Sequence, residues 1–298
     1  MKLELEKLGH EIHTQDILPV DQADYLLFLD IPKDIEFYPK HIKKAVIITE
    51  SEVIKPQNWD LENHKHFDKI FTWHSSFIDN KKYFKLNFSN KVKTTEVDLK
   101  LRENFCCLIA GAKKSSHPFE LYSERVRAIE WFEQNHPQDF QLYGPGWDKY
   151  QFSGNIFFRA FNKIKFLTKA LAPNYKTYRG LVKSKLTSLR TYQFNICYEN
   201  AHSIPGYITE KIFDAFFAGC IPVYLGPPDI DLFVPKNSYI DKNQFRTYEE
   251  LYQFMKGLSL TEIQTYQKNI LSYLNSEQAF QFTGEYYAKT VAHAFTSV

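Results

Sequence analysis

One stretch decides the fold: residues 192–226 have the sequence YQFNICYENAHSIPGYITEKIFDAFFAGCIPVYLG. Its apolar runs Tyr192–Tyr198 and Ile221–Leu225 are short and continuous, which is typical of buried strands in a parallel sheet. Between them, Glu210–Ala218 predicts a helix with Thr209 as its N-cap. A strand, a helix and a second strand in this order form a right-handed crossover unit. The stretch therefore predicts an α/β protein.

The same alternation of apolar runs and helical segments extends towards the N-terminus. The predicted strands are Glu11–Thr14, Asp24–Asp30, Lys44–Thr49, Lys69–Trp73 and Asn104–Ala110, and a helix is predicted from about Phe119 to Asn135. We place two α/β domains at residues 1–98 and 99–279, separated within the polar stretch Asn87–Glu103. The chain opens on a helical pattern rather than a strand, so a first strand is either missing or has diverged. Whether the tail from about 280 to 298 packs back on the first domain is left open.

Length, charge and cysteine usage narrow the classes of function. A chain of 298 residues is long enough for two domains, or one large one, with a sizeable core. Its 37 Lys and Arg nearly balance 35 Asp and Glu, so no nucleic-acid partner is expected. The four cysteines lie in apolar runs without metal-ligand spacing, which predicts buried thiols in a reducing compartment. With neither a signal peptide nor a long apolar run, we expect a cytoplasmic protein.

Polar side chains gather where the predicted strand Tyr192–Tyr198 ends and the next helix begins. In open α/β sheets, ligands bind outside the carboxyl ends of the strands, where Glu199 and Asn200 lie. The free N–H groups of the helix N-terminus favour a phosphate group beside Lys211, and Glu210 can accept hydrogen bonds from sugar hydroxyls. The alternative is that Glu210 is an ordinary first-turn carboxylate and Lys211 a solvated charge.

Three motifs resemble one known family. Tyr-Glu-Asn at Tyr198–Asn200, Tyr-Ile-Thr-Glu-Lys at Tyr207–Lys211 and Ile-Pro-Val-Tyr-Leu-Gly at Ile221–Gly226 are similar to the signature of the α-1,3/4-fucosyltransferases, glycosyltransferase family 10. The resemblance continues through Pro235–Asp241. It implies a GT-B fold, in which two Rossmann-like domains face a cleft. It also implies that GDP-fucose binds to the C-terminal domain, that the acceptor binds to the N-terminal domain and that the fucose anomeric carbon is inverted.

The resemblance also implies an arginine that meets the donor diphosphate from the helix after the first strand of the donor domain. Arg125 fits that place, Arg127 is the alternative, and either residue could instead be a solvated helix arginine. Arginine and lysine together neutralise the charge that grows on a diphosphate leaving group, so no metal or other cofactor is expected. The donor-binding residues implied are Arg125, Asn200, Tyr207, Glu210 and Lys211.

An inverting single displacement needs a base that takes the proton from the attacking hydroxyl. In the family this base is a glutamate that follows an apolar strand of the N-terminal domain. Here Val46–Thr49 is followed by Glu50, which we predict to be the catalytic base. Glu52, two residues further on, is the alternative. The third interpretation is that Glu50 and Glu52 are a pair of surface residues with a purely structural role. The rest of the N-terminal half matches the family only weakly.

The predicted function is therefore the transfer of fucose from GDP-fucose to O3 or O4 of an N-acetylglucosamine or glucose unit in a glycan. One alternative is the same chemistry with another GDP- or dTDP-deoxysugar, because a few loop contacts around Glu210 and Tyr207 set sugar specificity. A second alternative is an inactive module that binds a nucleotide-sugar or a glycan.

A basic segment at residues 149–190 holds ten Lys and Arg and no Asp or Glu. Within it, residues 156–167 interleave aromatic and cationic side chains, which is typical of a basic amphipathic helix on an anionic membrane. The alternatives are a solvated cationic face and a wall of the donor cleft. Contact with the inner membrane face would suit an enzyme that extends a lipid-linked glycan.

Overall fold

The computed structural model describes residues 1–91, 102–150, 152 and 155–296, which form two parallel β-sheets with helices around them. The first sheet has the order β1-β2-β3-β4, with strands Tyr25–Leu29, Lys43–Ile48, Lys69–Thr72 and Tyr83–Lys85. The second has the order β6-β5-β7-β8-β9, where β5 to β9 are Asn104–Ile109, Phe140–Tyr143, Tyr192–Ile196, Ile221–Tyr224 and Ile240–Asp241. The helices α1 to α11 are Lys2–Lys7, Leu61–His64, Tyr122–Asn135, Ile156–Ala160, Lys165–Ala170, Lys185–Leu189, Glu210–Ala218, Tyr248–Gly257, Leu260–Leu274, Glu277–Phe280 and Gly284–Thr296.

The crossover unit predicted from residues 192–226 is confirmed. Strand β7 lies between β5 and β8, and its Phe194 pairs with Cys106 on one side and Ile221 on the other. All three of these side chains are fully buried, as expected for a central parallel strand. Helix α7 ends at Ala218 and is followed by Gly219 in the left-handed conformation, with φ +67°. The polar ends of β5, β7 and β8 therefore meet at one edge of the second sheet.

The first sheet contains the predicted strands at 24–30, 44–49 and 69–73 within one or two residues. One of its faces is covered by α11, whose Val291 and Ala294 pack with Ala45, Ile47 and Phe71. The predicted strand Glu11–Thr14 is wrong, because residues 10–14 have no regular structure. The predicted domain boundary at 98/99 lies in 92–101, outside the described residues.

The prediction of one amphipathic helix over residues 156–167 is also wrong. Helix α4 ends at Ala160 and α5 begins at Lys165, and the turn between them is the 3-10 helix Phe161–Lys163. The backbone leaves the helical region at Ile164, with φ −87° and ψ 88°, and this residue separates the two segments. The Asn162 side chain ties the turn to Phe152, since it accepts a hydrogen bond from the Phe152 N–H at 2.8 Å and donates to the Phe152 carbonyl at 2.9 Å.

The two sheets meet at Gly206, which precedes α7. Gly206 has φ +81°, and a Cβ atom there would lie 2.2 Å from the Trp73 carbonyl oxygen at the end of β3. Beside it, the Ser75 N–H donates to the Pro205 carbonyl at 3.2 Å. The Trp73 and Tyr207 rings pack with centroids 4.7 Å apart. This junction holds the strand ends of the first sheet opposite those of the second.

We expect Gly206→Ala to lower the melting temperature more than either of two control substitutions. A non-glycine residue at positive φ costs about 1–3 kcal/mol, and at Gly206 the backbone clash with Trp73 adds to that strain. Gly180→Ala tests the φ strain alone, because Gly180 has φ +83° with nothing within 4 Å of a Cβ atom. Gly257→Ala, in open space at the end of α8, should be nearly neutral. Equal thermal shifts for Gly206→Ala and Gly180→Ala would contradict a close approach between the sheets.

Candidate active site

A buried arginine fixes the end of β7. Arg125 lies on α3 with 4% of its surface exposed. Its Nη2 donates to the carbonyl oxygens of Tyr198 and Glu199 at 2.8 Å each, and to the Asn200 Oδ1 at 3.0 Å. Burial lowers the pKa of Arg125 from its ordinary value. The guanidinium holds the backbone after the strand in one conformation and brings a positive charge to this edge of the sheet.

A buried carboxylate connects the end of β7 to the start of α7. Glu199 is fully buried, and its Oε1 accepts hydrogen bonds from the Thr209 N–H at 2.8 Å and the Tyr224 hydroxyl at 3.0 Å. Its Oε2 accepts from the Thr209 hydroxyl at 2.7 Å and from the Lys211 Nζ at 3.1 Å. The predicted N-cap position of Thr209 is confirmed, but its hydroxyl bonds to Glu199 instead of capping the helix. Glu199 therefore orients Lys211 at the N-terminus of α7.

Beside this N-terminus lies a cavity of about 490 Å³. Every residue that lines it lies in the range 108–214, on the side of the second sheet. Five lining residues are cationic and two are acidic: Lys113, Arg125, Lys183, Lys185 and Lys211, against Glu210 and Asp214. An excess of positive charge at a helix N-terminus favours a phosphorylated ligand.

Glu210 is the first residue of α7 and lies at the cavity with about half of its side chain exposed. Its Oε1 is 3.8 Å from the Lys185 Nζ and 3.9 Å from the Lys211 Nζ. Although burial by itself raises the pKa of Glu210, Lys211 and Lys185 hold that pKa below the ordinary value. Glu210 is therefore an anionic acceptor of hydrogen bonds, suited to ligand hydroxyls.

Across the cleft, Glu50 follows β2 and is held through its backbone. Asp30, at φ +58°, accepts hydrogen bonds through Oδ1 from the Thr49 N–H at 2.7 Å and the Glu50 N–H at 3.2 Å. The Glu50 carbonyl accepts from the Trp59 Nε1 at 3.0 Å. The Glu50 side chain makes none of these bonds, so its carboxylate can act on a ligand.

The surroundings of Glu50 shift its acidity. Burial and then the Asp30 charge raise the pKa of Glu50, while Lys113 and Lys211 oppose the rise. The two lysines belong to the cavity in the second sheet, so the Glu50 carboxylate lies within electrostatic reach of that cavity. A carboxylate with a raised pKa is a stronger base than an ordinary glutamate.

The alternatives left open by the sequence occupy different places. Glu52 lies 3.8 Å from the His117 Nε2, with its side chain one third exposed. Arg127 has a side chain that is 66% exposed and pairs with Glu124 at 2.7 Å, away from the cavity. Of these four residues, Arg125 lines the cavity, whereas Glu50, Glu52 and Arg127 do not.

Two of the predicted donor-binding residues use their side chains for contacts within the protein. Asn200 lines the cavity, but its Oδ1 accepts from Arg125 and its Nδ2 donates to the Tyr207 hydroxyl at 3.3 Å. Tyr207 is buried against Trp73 and does not line the cavity. Tyr207 therefore contributes to the junction between the sheets.

Sequence reasoning missed part of the cavity. Lys183 and Lys185 line it, and the Lys185 Nζ donates to the Asp214 Oδ2 at 2.9 Å. The only signal for these lysines was the basic segment 149–190, for which a wall of the cleft was one interpretation. Lys113 was missed, since nothing local shows what a loop lysine faces. Glu199 was expected at this edge, but its burial and its bond to Lys211 were not.

Two further expectations bear on the chemistry. The four cysteines are free and buried, as predicted. Within residues 1–91, 102–150, 152 and 155–296, no group of three or more His, Cys, Asp or Glu is placed to hold a metal ion.

Two parallel sheets of α/β type with a phosphate-suited cavity at their strand ends define a GT-B glycosyltransferase fold. A solved α1,3-fucosyltransferase with GDP superposes with a TM-score of 0.57 at 15% identity, over 99% of this chain and 85% of that one. The glycosyltransferase TarM superposes with a TM-score of 0.58 at 12% identity, over 99% of this chain and 58% of that one. At these identities the likeness concerns the fold alone. The predicted fold class is confirmed.

The sequence comparison identifies the C-terminal part of the chain. Residues 162–293 match the family described as glycosyltransferase family 10 (fucosyltransferase) C-term, so they form a domain of that family. The resemblance inferred from the three motifs is confirmed.

Named relatives share shorter stretches. An α-(1,3)-fucosyltransferase from Helicobacter pylori is 35% identical over 104 residues, which are 35% of this chain and 21% of that protein. An α-(1,4)-fucosyltransferase from Arabidopsis thaliana is 37% identical over 67 residues, or 22% of this chain and 16% of that protein. The matched region thus spans about a fifth or less of these relatives.

Proposed function

We propose that this protein transfers fucose from GDP-fucose to a hydroxyl group of a glycan, with inversion at the fucose anomeric carbon. The family 10 domain at residues 162–293 and relatives named as fucosyltransferases support the sugar and the reaction. The acceptor hydroxyl we propose is O3 or O4 of an N-acetylglucosamine or glucose unit. The free, buried thiols suit a reducing compartment, and we propose the cytoplasm as the site of action.

The observation that carries the proposal is the cationic cavity beside the N-terminus of α7. Lys211, held by Glu199, and Arg125 supply positive charge where a donor diphosphate would lie. Glu210 offers its carboxylate to donor hydroxyls at the same place. A solved relative of the same fold contains GDP, which supports a guanine nucleotide as the ligand.

In the mechanism we propose, Glu50 acts as the general base. The acceptor hydroxyl attacks the fucose anomeric carbon, and its proton passes to the Glu50 carboxylate. The bond between that carbon and the diphosphate oxygen breaks, and GDP leaves with the electron pair. Lys211 and Arg125 stabilise the charge that develops on the leaving phosphate in the transition state.

This assignment predicts where activity falls at low pH. Glu50 must be deprotonated to act, so kcat/KM should rise with pH through the Glu50 pKa, which lies above the ordinary value of 4.5. Lys113→Ala removes a charge that lowers this pKa. In that variant the acidic limb of the pH profile, where kcat/KM rises, should therefore move to higher pH. Rates measured across pH for both proteins test this. A limb at or below pH 4.5, or one unmoved by Lys113→Ala, would contradict the role of Glu50.

Donor identity is tested with a panel of GDP-fucose, GDP-mannose, a dTDP-deoxysugar and UDP-glucose. A ligand that binds the folded state raises the melting temperature, so GDP-fucose should give the largest shift. GDP release should then require a glycan that contains an N-acetylglucosamine or glucose unit. A larger shift with another GDP- or dTDP-deoxysugar would mean that this sugar nucleotide, and not GDP-fucose, is the donor. GDP-fucose binding without turnover on any glycan would indicate an inactive binding module.

We further propose that neither a metal ion nor another cofactor is required, because Lys211 and Arg125 already supply charge at the leaving group. EDTA should therefore leave the initial rate of GDP release nearly unchanged, with added Mg²⁺ or Mn²⁺ as the matched control. Loss of activity in EDTA that Mg²⁺ or Mn²⁺ restores would show this part of the proposal to be wrong.

A further inference from the structure

An exposed apolar surface lies outside the cavity, on α4, α5 and the turn between them. We call it the aromatic surface, and it consists of Ile156, Phe157, Phe158, Phe161, Ile164 and Phe166. The exposed fractions of these side chains run from 41% for Phe161 to 84% for Phe166. Neighbouring large apolar side chains that remain this exposed mark an interaction site rather than ordinary surface.

The aromatic surface is attached to the protein at defined points. The buried Thr168 accepts a hydrogen bond through its carbonyl from the Tyr150 N–H at 2.7 Å. Asn162 pairs with the backbone of Phe152 through two hydrogen bonds. Phe161 packs against Phe152, with ring centroids 5.6 Å apart, and is the least exposed of the six side chains. The other five have about half or more of their surface in solvent.

Positive charge surrounds the aromatic surface. Lys163, Lys165 and Lys169 are exposed, and none of them forms an ion pair with a carboxylate among the residues that the structure describes. The whole segment 149–190 contains no Asp or Glu. Apolar side chains flanked by cations, without any acidic residue, complement a surface that is apolar inside and anionic outside.

We propose that the aromatic surface inserts into the interface of a bilayer that contains anionic lipid. The six apolar side chains would lie at the boundary between headgroups and acyl chains, with Lys163, Lys165 and Lys169 at the headgroup phosphates. A nucleic acid would use the cations but leave the aliphatic Ile156 and Ile164 in water. An anionic bilayer would contact both the cations and the apolar side chains. Among the described residues no helix could cross a membrane, so the contact we infer is peripheral.

The aromatic surface adjoins the candidate active site along the chain. Gly144 and Pro145 line the cavity before the segment, and Leu181 and Val182 line it afterwards. The chain thus leaves the cavity, forms the aromatic surface and returns to the cavity within residues 144–182. The inference rests on the exposed side chains and the charge, so its failure would leave the proposed function unaffected.

Co-sedimentation of the full chain with vesicles tests the inference. Phosphatidylcholine vesicles with and without phosphatidylglycerol are compared at low and high salt. We expect binding to the anionic vesicles, with the partition coefficient falling at least about tenfold in high salt or on neutral vesicles. Phe157→Ser with Phe166→Ser should weaken binding by a similar factor and leave the melting temperature unchanged, because both rings are exposed.

The matched control is Phe37→Ser, which removes a ring that is 81% exposed on the first domain. It should leave vesicle binding unchanged. Absent binding, equal binding to neutral and anionic vesicles, or an equal loss in Phe37→Ser would overturn the proposal. It would also be overturned if the Phe157 and Phe166 changes converted a dimer into a monomer without altering vesicle binding, since the aromatic surface would then join two copies of the chain.

Discussion

Glu50→Gln is expected to reduce kcat by roughly 100-fold or more while GDP-fucose binds with nearly unchanged affinity. The substitution keeps the shape of the side chain but removes the carboxylate that would accept the acceptor proton, and general-base catalysis contributes about this factor. The Glu50 backbone bonds to Asp30 and Trp59 do not involve its side chain, so the strand end should stay in place. Single-turnover rates and a donor titration on the same preparation measure both quantities.

The melting temperature of Glu50→Gln shows whether a loss of activity comes from a damaged fold. Because the pKa of Glu50 is raised in the folded state, the folded protein binds that proton more tightly than the unfolded chain. The group therefore costs stability as pH rises from 4.5 through its folded pKa, and Gln does not carry that cost. Glu50→Gln should keep or raise the melting temperature at neutral pH. Glu52→Gln, the matched control, should retain most of the activity, and turnover lost there but kept in Glu50→Gln would move the base to position 52.

Lys211→Ala is expected to weaken GDP binding by about 1.5–3 kcal/mol, or roughly ten- to 150-fold in Kd. This is the usual size of a charge-assisted contact removed from a phosphate site. The substitution should also lower the melting temperature, because Glu199 is fully buried and Lys211 is its cationic partner at 3.1 Å. Calorimetric titration with GDP, well below the unfolding temperature, separates the two effects.

The double variant Glu199→Gln with Lys211→Ala makes that separation sharper. A neutral amide at position 199 no longer needs the cation, so part of the lost stability should return while GDP affinity stays low. If GDP affinity returned together with stability, Lys211 would act only by supporting the fold. Arg125→Ala should weaken GDP binding by a similar amount to Lys211→Ala, whereas Arg127→Ala, on the exposed face of α3, should not change it.

Much of the second sheet could be predicted because its signals are local. Apolar runs of strand length, an N-cap position at Thr209 and a helix stop at Gly219 are signals that lie within a few neighbouring residues. The same is true of the apolar strand before Glu50. The strand at Glu11–Thr14 was not formed, since a weak alternation of four residues does not specify a strand that has no partner in a sheet.

The roles of individual site residues depended on contacts distant in sequence. Tyr207 belongs to a motif that suggests ligand binding, but Trp73, from the other sheet, covers its ring. The basic segment 149–190 divides, with Lys183 and Lys185 at the cavity and Lys163 and Lys165 at the aromatic surface. A run of like charges is uniform in sequence, so its composition alone cannot indicate which face each lysine meets.

The sequence by itself determined the crossover unit at residues 192–226 and the family to which its motifs belong, because hydrophobic spacing and helix signals act over a few neighbouring residues. It also placed Glu50 at a strand end. Only the tertiary structure decided that Glu199 is a buried anchor for Lys211 and that Arg125 holds three acceptors after β7. Burial and charge pairing depend on which strands and helices come together, and the partners of Arg125 lie more than 70 positions away along the chain.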